Sequence, residues 1–170
     1  MPHKTAILDA SSAIILYKSG LHSLLVEMYN IALPQSVYHE LTANQYTGAD
    51  EFKKLARVGK IYVHEPSSRL EKKRMAALDT GESDTIQMYF EGEGEFVITD
   101  DGQAAKFCKR EGIPFINALL FPRVLQFAGR NKDDFCRRAM ERIIENGRYS
   151  AEVITFAREC RSEHISFAVP

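Results

Sequence analysis

Short apolar runs alternate along the chain with longer stretches in which apolar residues recur at helical spacing. The short runs are rich in β-branched and aromatic residues, which is typical of buried strands. Five strands are predicted, at 5–8, 31–33, 61–64, 96–99 and 114–116. Helices are predicted at 12–18, 21–29, 36–42, 49–58, 69–77, 82–90 and 103–111. Strands separated by helices of this length indicate an α/β fold with a parallel sheet.

Glycines and the C-terminal third complete the predicted organisation. Gly20, Gly59 and Gly112 follow helical segments and are expected to end them. From Ala118 onward the pattern is helical, with Pro122 in a first turn or at a kink and Asp133 as a cap. The final ISFAVP alternates, so we expect an extended tail against the body. We predict a single domain over 1–170, with a core at about 5–129 and a helical C-terminal portion at 130–170.

Composition narrows the class of protein. The chain has 170 residues, 45% of them hydrophobic and 26% charged, which suits one folded domain. Its net charge of -1 gives no general support for non-specific nucleic-acid binding, although a local basic patch remains compatible with it. No apolar run approaches the roughly 20 residues of a membrane span. Three widely spaced cysteines predict reduced thiols in an intracellular, cytoplasmic protein, and no structural zinc site is expected.

Acidic residues follow two of the predicted strands directly. Asp9 comes after the first strand in AILDASS, and Asp100 and Asp101 come after the fourth in FVITDDG. In a parallel α/β sheet, ligands bind outside the carboxyl ends of the strands. If the first and fourth strands are neighbours, these three acids lie at the same edge of the sheet.

Further acids are expected at that edge because the helices that carry them begin there. Glu40 lies in QSVYHEL, and Glu82 and Asp84 lie in LDTGESDTIQMY. Clustered carboxylates repel one another unless a cation compensates them, and Mg²⁺ or Mn²⁺ suits oxygen ligands. Such an ion polarises a phosphodiester and lowers the pKa of the attacking water.

Each acid also has a structural interpretation. Asp9 can cap the following helix, and Asp100 or Asp101 can cap the helix near residue 103. Glu82 and Asp84 favour the positive end of a helix dipole, and Glu40 taken alone is typical of an exposed surface acid. Taken singly, these positions are more often structural than catalytic. Their placement at corresponding ends of successive βα units favours a shared site.

Four segments together resemble PIN-domain proteins, including the ribonuclease toxins of bacterial and archaeal toxin–antitoxin pairs. They are LDASSAI, SVYHEL, GESDTIQMY and VITDDGQAAKFC, and the third resembles the GESEAI-like helix of one PIN subgroup. The resemblance covers about 5–129. It implies a parallel sheet flanked by helices and an Mg²⁺- or Mn²⁺-dependent ribonuclease site.

The resemblance also implies roles for individual residues. It makes Asp9, Glu40, Asp84 and Asp101 the catalytic acids. The implied metal ligands are these four with Glu82 and Asp100, and the implied supporting residues are Ser11 and Thr99. Two features depart from the family pattern: INALLFP stands where a GTLG-like segment is common, and Asp84 stands in place of the commoner Glu.

Basic residues near the expected site suggest contacts with phosphates. Lys106 follows the TDDG turn and is predicted to bind substrate, whereas Lys109 and Arg110 are interpreted as a solvated helix face. The run of Lys72, Lys73 and Arg74 is expected to be exposed. The resemblance implies RNA as substrate, with an antitoxin protein or a second copy of the chain as candidate partners.

Three functions remain open from the sequence. The first is a metal-dependent endoribonuclease, acting as a toxin component. The second is a PIN-like module that binds nucleic acid or regulates without cutting. The third is a phosphoryl-transfer domain with Asp9 as nucleophile, which ranks last because Ser11 stands where phosphatases of the haloacid type have a second acid.

Overall fold

Five parallel strands form the centre of the fold in the part of the chain that the structure describes. A computed structural model of the chain describes residues 3–43, 45–67 and 74–170. The strands are β1 (Thr5–Leu8), β2 (Asn30–Pro34), β3 (Ile61–His64), β4 (Phe96–Ile98) and β5 (Phe115–Ile116). They pair in the order β3-β2-β1-β4-β5, and every pairing is parallel. The predicted α/β class and parallel sheet are confirmed, and β1 and β4 are neighbours at the centre.

Helices connect the strands as the pattern predicts. They are α1 (Ala10–Lys18), α2 (His22–Met28), α3 (Gln35–Leu41), α4 (Ala49–Arg57), α5 (Thr80–Phe90), α6 (Gly102–Glu111), α7 (Phe121–Phe127), α8 (Asp133–Asn146) and α9 (Ala151–Glu159). Most of the predicted helix 69–77 lies outside the described residues, and the described part, 74–77, forms a turn. Gly112 ends α6 with a φ of 69°, as expected of a glycine stop.

The sheet buries both of its faces, which is typical of parallel sheets. Ile7 and Val97 pack on one face with Ile86 of α5 and Phe107 of α6. Alternate residues of the same strands point to the other face and join a larger core that includes α1, α7 and α8. The strands therefore form a rigid base from which their carboxyl ends present polar residues at one edge.

Two predictions about the C-terminal portion were wrong. Asp133 is the first residue of α8, after the N-cap residue Lys132, and it accepts a hydrogen bond from Gln126. The tail forms a short 3₁₀ helix (Ser162–Ile165) followed by turns, rather than an extended segment. Its buried residues Ile165 and Ala168 are three positions apart, which matches the 3₁₀ period.

The tail still packs against the body, as predicted. Lys4 donates hydrogen bonds of 2.7 Å to the carbonyl oxygens of Phe167 and Val169, and Tyr29 donates to that of Ala168. Pro122 lies in the first turn of α7, which is one of its two predicted positions. Within the described ranges, no helix combines the length and apolar character needed to cross a membrane.

Candidate active site

The candidate site lies at the carboxyl edge of the two central strands. The backbone amide of Asp9 donates to the carbonyl of Ile98 at 3.1 Å, so the chain after β1 runs beside the chain after β4. Both strands turn at once into helices, α1 at Ala10 and α6 at Gly102. This connection places Asp9 next to Thr99, Asp100 and Asp101.

Asp9 is a buried carboxylate surrounded by hydroxyl and amide donors. It is 3% exposed. Its Oδ1 accepts from the Ser11 hydroxyl at 2.8 Å and from the Ser12 amide at 2.9 Å, while Oδ2 accepts from the Thr99 hydroxyl. Burial raises the pKa of Asp9 to about 7 even though these hydrogen bonds lower it, and the nearby Asp100 raises it further. Asp9 thus caps α1 and carries an uncompensated, buried charge when it ionises.

Asp100 links the site to the C-terminal portion. Its Oδ2 accepts from the Ser12 hydroxyl at 2.6 Å and from the Ala118 amide at 2.9 Å, and its Oδ1 accepts from the Tyr149 hydroxyl. Burial raises the pKa of Asp100, and these three donors oppose the rise. The same carboxylate contributes to the raised pKa of Tyr149, after burial of the phenol.

Asp101 and Glu82 form a pair of carboxyl groups. Asp101 caps α6, since its Oδ1 accepts from the amides of Gln103 at 2.7 Å and Ala104 at 2.8 Å. The charge of Asp101 lies close enough to Glu82 to disfavour ionisation of Glu82. Burial, followed by the charges of Asp101 and Asp79, raises the pKa of Glu82 to about 7.

Asp79, which is not among the predicted site residues, extends this group of acids toward α3. Asp79 and Glu82 form a reciprocal capping box at the start of α5, with amide–carboxylate distances of 2.8 and 3.0 Å. The sequence DTGE has the spacing of such a box, which is the signal that was available. Partial desolvation and the charge of Asp79 raise the pKa of Glu40, an exposed residue of α3.

Asp84 is held by the neighbouring helix. Its Oδ2 accepts from the Ser36 hydroxyl of α3 at 2.6 Å. Asp84 therefore lies where α3 and α5 meet, as Glu40 does. The acids form small groups along one edge: Asp9 with Asp100, Glu82 with Asp101 and Asp79, and Glu40 with Asp79. In the described ranges, no three His, Cys, Asp or Glu side chains are arranged to hold a metal ion.

The basic residues differ in their surroundings. Arg110 lies 4.9 Å from the ring centroid of Phe107 and pairs with Glu111, which also pairs with Arg74. Lys106 and Lys109 are exposed. The other two members of the basic run, Lys72 and Lys73, lie outside the described residues. The three cysteines are buried free thiols.

Comparison with known families matches this architecture. A family model described as PIN domain matches residues 5–160, which continues past Gly129 into α9. The chain therefore belongs to the PIN-domain family, a family of nuclease-like fold whose members are generally hydrolases that use divalent metal ions. Among curated proteins, no match is found.

Proposed function

We propose that this protein is a metal-dependent endoribonuclease that hydrolyses RNA phosphodiesters. The observation that carries the proposal is Asp9, a carboxylate buried at the carboxyl end of the central strand with a pKa near 7. No lysine, arginine or histidine pairs with it in the part of the chain that the structure describes. Burial of an uncompensated carboxylate costs stability, and such groups cluster at functional sites.

The donor set fits a magnesium or manganese ion. Mg²⁺ takes one or two carboxylates from a protein and keeps several waters, so three clustered side chains are not required. Asp9, Glu40, Asp84 and Asp101 are the proposed catalytic acids, from which one or two ions would draw their ligands, with Glu82 and Asp100 as additional ligands. A bound ion would polarise the scissile phosphodiester and lower the pKa of the attacking water.

The remaining residues orient these groups and move protons. Ser11 and Thr99 donate to Asp9 and fix the direction of its carboxylate. Glu82, with a pKa of about 7, can take or give a proton near neutral pH. We propose that Glu82 gives the proton to the leaving oxygen in the state in which Asp101 binds the ion and Glu82 does not. Lys106, exposed on α6, is the proposed phosphate contact.

The finer biological role rests on the resemblance of the motifs. Similarity to ribonuclease toxins supports a toxin component in the cytoplasm, with RNA as substrate and an antitoxin protein as partner. A homodimer is a further proposed state. Co-purification with the product of an adjacent gene is expected for a toxin, and isolation of the chain alone, active and harmless to its host, would contradict that role.

RNA cleavage tests the enzymatic proposal. We expect purified protein with Mn²⁺ to cut a mixed pool of labelled single-stranded and structured RNA, and EDTA to stop it. Asp101→Asn is expected to lower the rate at least 100-fold, because it removes a proposed ligand and the partner of Glu82. Asp134→Asn is the matched control. Asp134 is exposed in the first turn of α8, and the opposite end of this helix, which leads to Tyr149, is about 20 Å away.

Equal cleavage by the parent and Asp101→Asn would contradict the proposal. A second candidate, a PIN-like module that binds RNA without cutting, is favoured by one observation. The described residues hold no ready-made group of three metal-binding side chains. RNA binding with no cleavage in Mn²⁺ across the pool would establish that function instead.

A further inference from the structure

A groove runs from the acids to the C-terminal portion. Its volume is about 620 Å³, within the range of about 300–1,000 Å³ usual for ligand pockets. Its lining includes Thr99, Asp100 and Asp101 of the acidic edge, together with Phe156 of α9 and His164 of the tail. The groove is therefore continuous with the proposed catalytic edge.

An exposed aromatic surface lies in this groove. Phe156 is 47% exposed although most large apolar side chains of the protein are buried. The His164 ring lies beside it, with centroids 5.8 Å apart and planes at 36°. Nδ1 of His164 accepts the Arg161 backbone amide at 3.1 Å, so in the neutral ring the hydrogen is on Nε2. The Nε2–H group of His164 is therefore a donor beside the apolar ring of Phe156.

Two cations line the same groove. Lys109 and Arg148 are exposed, and neither forms an ion pair with a carboxylate of the described residues. Asp100 accepts three hydrogen bonds from within the protein, and Asp101 accepts hydrogen bonds as the cap of α6. Donors of the protein therefore already stabilise the negative charge of these two carboxylates. Glu152, Asp100 and Asp101 give the groove three carboxyl groups against these two cations, so net charge does not favour RNA and stacking is the main attraction.

We propose that this groove binds single-stranded RNA next to the catalytic acids. An unpaired base stacks on Phe156 and accepts a hydrogen bond from Nε2 of His164, and the phosphates on either side contact Lys109 and Arg148. Bases in a duplex do not present free faces, so stacking on an aromatic side chain selects unpaired RNA. This inference rests on the proposed function, because it names the form of RNA that the acids would cut.

Binding without cleavage provides the test. A labelled ten-nucleotide RNA is titrated in EDTA with the wild type, Phe156→Ala or Phe90→Ala, and its fluorescence anisotropy gives the dissociation constant for each protein. Phe90 is the matched control, since it is 43% exposed at the far end of α5 from the acids. Phe156→Ala is expected to weaken binding about 5- to 150-fold, the effect of removing one base–aromatic stack. Phe90→Ala is expected to change it less than twofold.

Three further arms separate stacking from apolar contact and from charge. Phe156→Trp is expected to retain wild-type affinity, whereas Phe156→Leu is expected to resemble Phe156→Ala. The logarithm of the binding constant is expected to fall with that of salt concentration at a slope of about -1.4, for two phosphate contacts on a single strand. Lys109→Gln and Arg148→Gln should each reduce the slope by about 0.7. A duplex of the same sequence is expected to bind more than tenfold more weakly than the single strand.

The outcomes distinguish this inference from the proposed function. Equal effects of Phe156→Ala and Phe90→Ala, absence of single-strand binding, or equal binding of the duplex would overturn the groove assignment. Cleavage in Mn²⁺ is scored separately on the same RNA. Binding that depends on Phe156 without any cleavage would leave the groove in place and reject the nuclease, whereas cleavage indifferent to Phe156 would do the reverse.

Discussion

Asp9→Asn is expected to change the pH dependence of stability in the protein without divalent cations. The carboxyl of Asp9 is 3% exposed, and burial raises its pKa from 3.8 to about 7. A difference of about 3 pH units corresponds to about 4 kcal/mol, at about 1.4 kcal/mol per unit. The ionised Asp9 therefore opposes folding by about that amount above pH 7.

The sign follows from the protons bound in each state. Between pH 3.8 and about 7 the folded protein keeps the proton on Asp9 and the unfolded chain has lost it. The free energy of unfolding of the wild type therefore falls as pH rises through this window. Below it the penalty is absent, and above it the penalty is complete.

The substitution also changes hydrogen bonds. The asparagine oxygen can still accept from Ser11 and Ser12, but its amide replaces the oxygen that accepts from Thr99. That exchange costs about 1–2 kcal/mol. The variant is therefore expected to be less stable than the wild type by about 1 kcal/mol at pH 4 and more stable by about 2 kcal/mol at pH 8.

Urea unfolding in EDTA, followed by circular dichroism from pH 4 to 8.5, measures this difference. Asp134→Asn, an exposed site, is the control and should show no crossover. A difference between Asp9→Asn and the wild type that stays constant over the whole range would refute the reasoning, because it would show that Asp9 ionises normally in the folded protein.

Two other substitutions test the packing around the site. Tyr149→Phe removes a donor from the partly buried Asp100 and is expected to cost about 1–3 kcal/mol in urea unfolding. Tyr62→Phe, at a residue 59% exposed, is the control and should change stability by less than about 0.5 kcal/mol. Equal losses of stability in the two variants would contradict a stabilising hydrogen bond from Tyr149 to Asp100. Gly94→Ala places a methyl group 2.7 Å from a buried side chain of β1 and is expected to lower stability by about 1–3 kcal/mol. Gly102→Ala meets open space at the start of α6, so thermal unfolding should show no loss.

The strands and most helices were predictable because local pattern determines them. Each strand is a short apolar run between helical segments, and Gly112 has the positive φ that a glycine stop supplies. The predictions were wrong where tertiary contacts determine the local conformation. The tail alternates in sequence, yet Ile165 and Ala168 are both drawn into the core, which the 3₁₀ spacing permits. Asp133 has a good capping side chain, but α8 begins at Asp133 itself.

The placement of the acids followed from topology, whereas their partners did not. Asp9 and Asp101 had to share an edge once β1 and β4 were adjacent and parallel. The bond from Tyr149 to Asp100 joins residues 49 positions apart, and it depends on how the chain returns after α8. No local pattern encodes that return. Asp79 was missed because the start of α5 was placed at Glu82, two residues after its actual start at Thr80.

Calorimetric titration of Mn²⁺ tests most directly the claim that the acidic edge binds a divalent cation through Asp9. At pH 6, one unit below its pKa, Asp9 is about 90% protonated and must lose that proton to bind the ion. Titrations in two buffers of different ionisation enthalpy give the number of protons released. We expect Asp9→Asn to bind Mn²⁺ more than tenfold more weakly and to release about 0.9 fewer protons per ion than the wild type and Asp134→Asn. Mn²⁺ binding with equal affinity and equal proton release in Asp9→Asn, or no binding by the wild type at millimolar Mn²⁺, would contradict the claim.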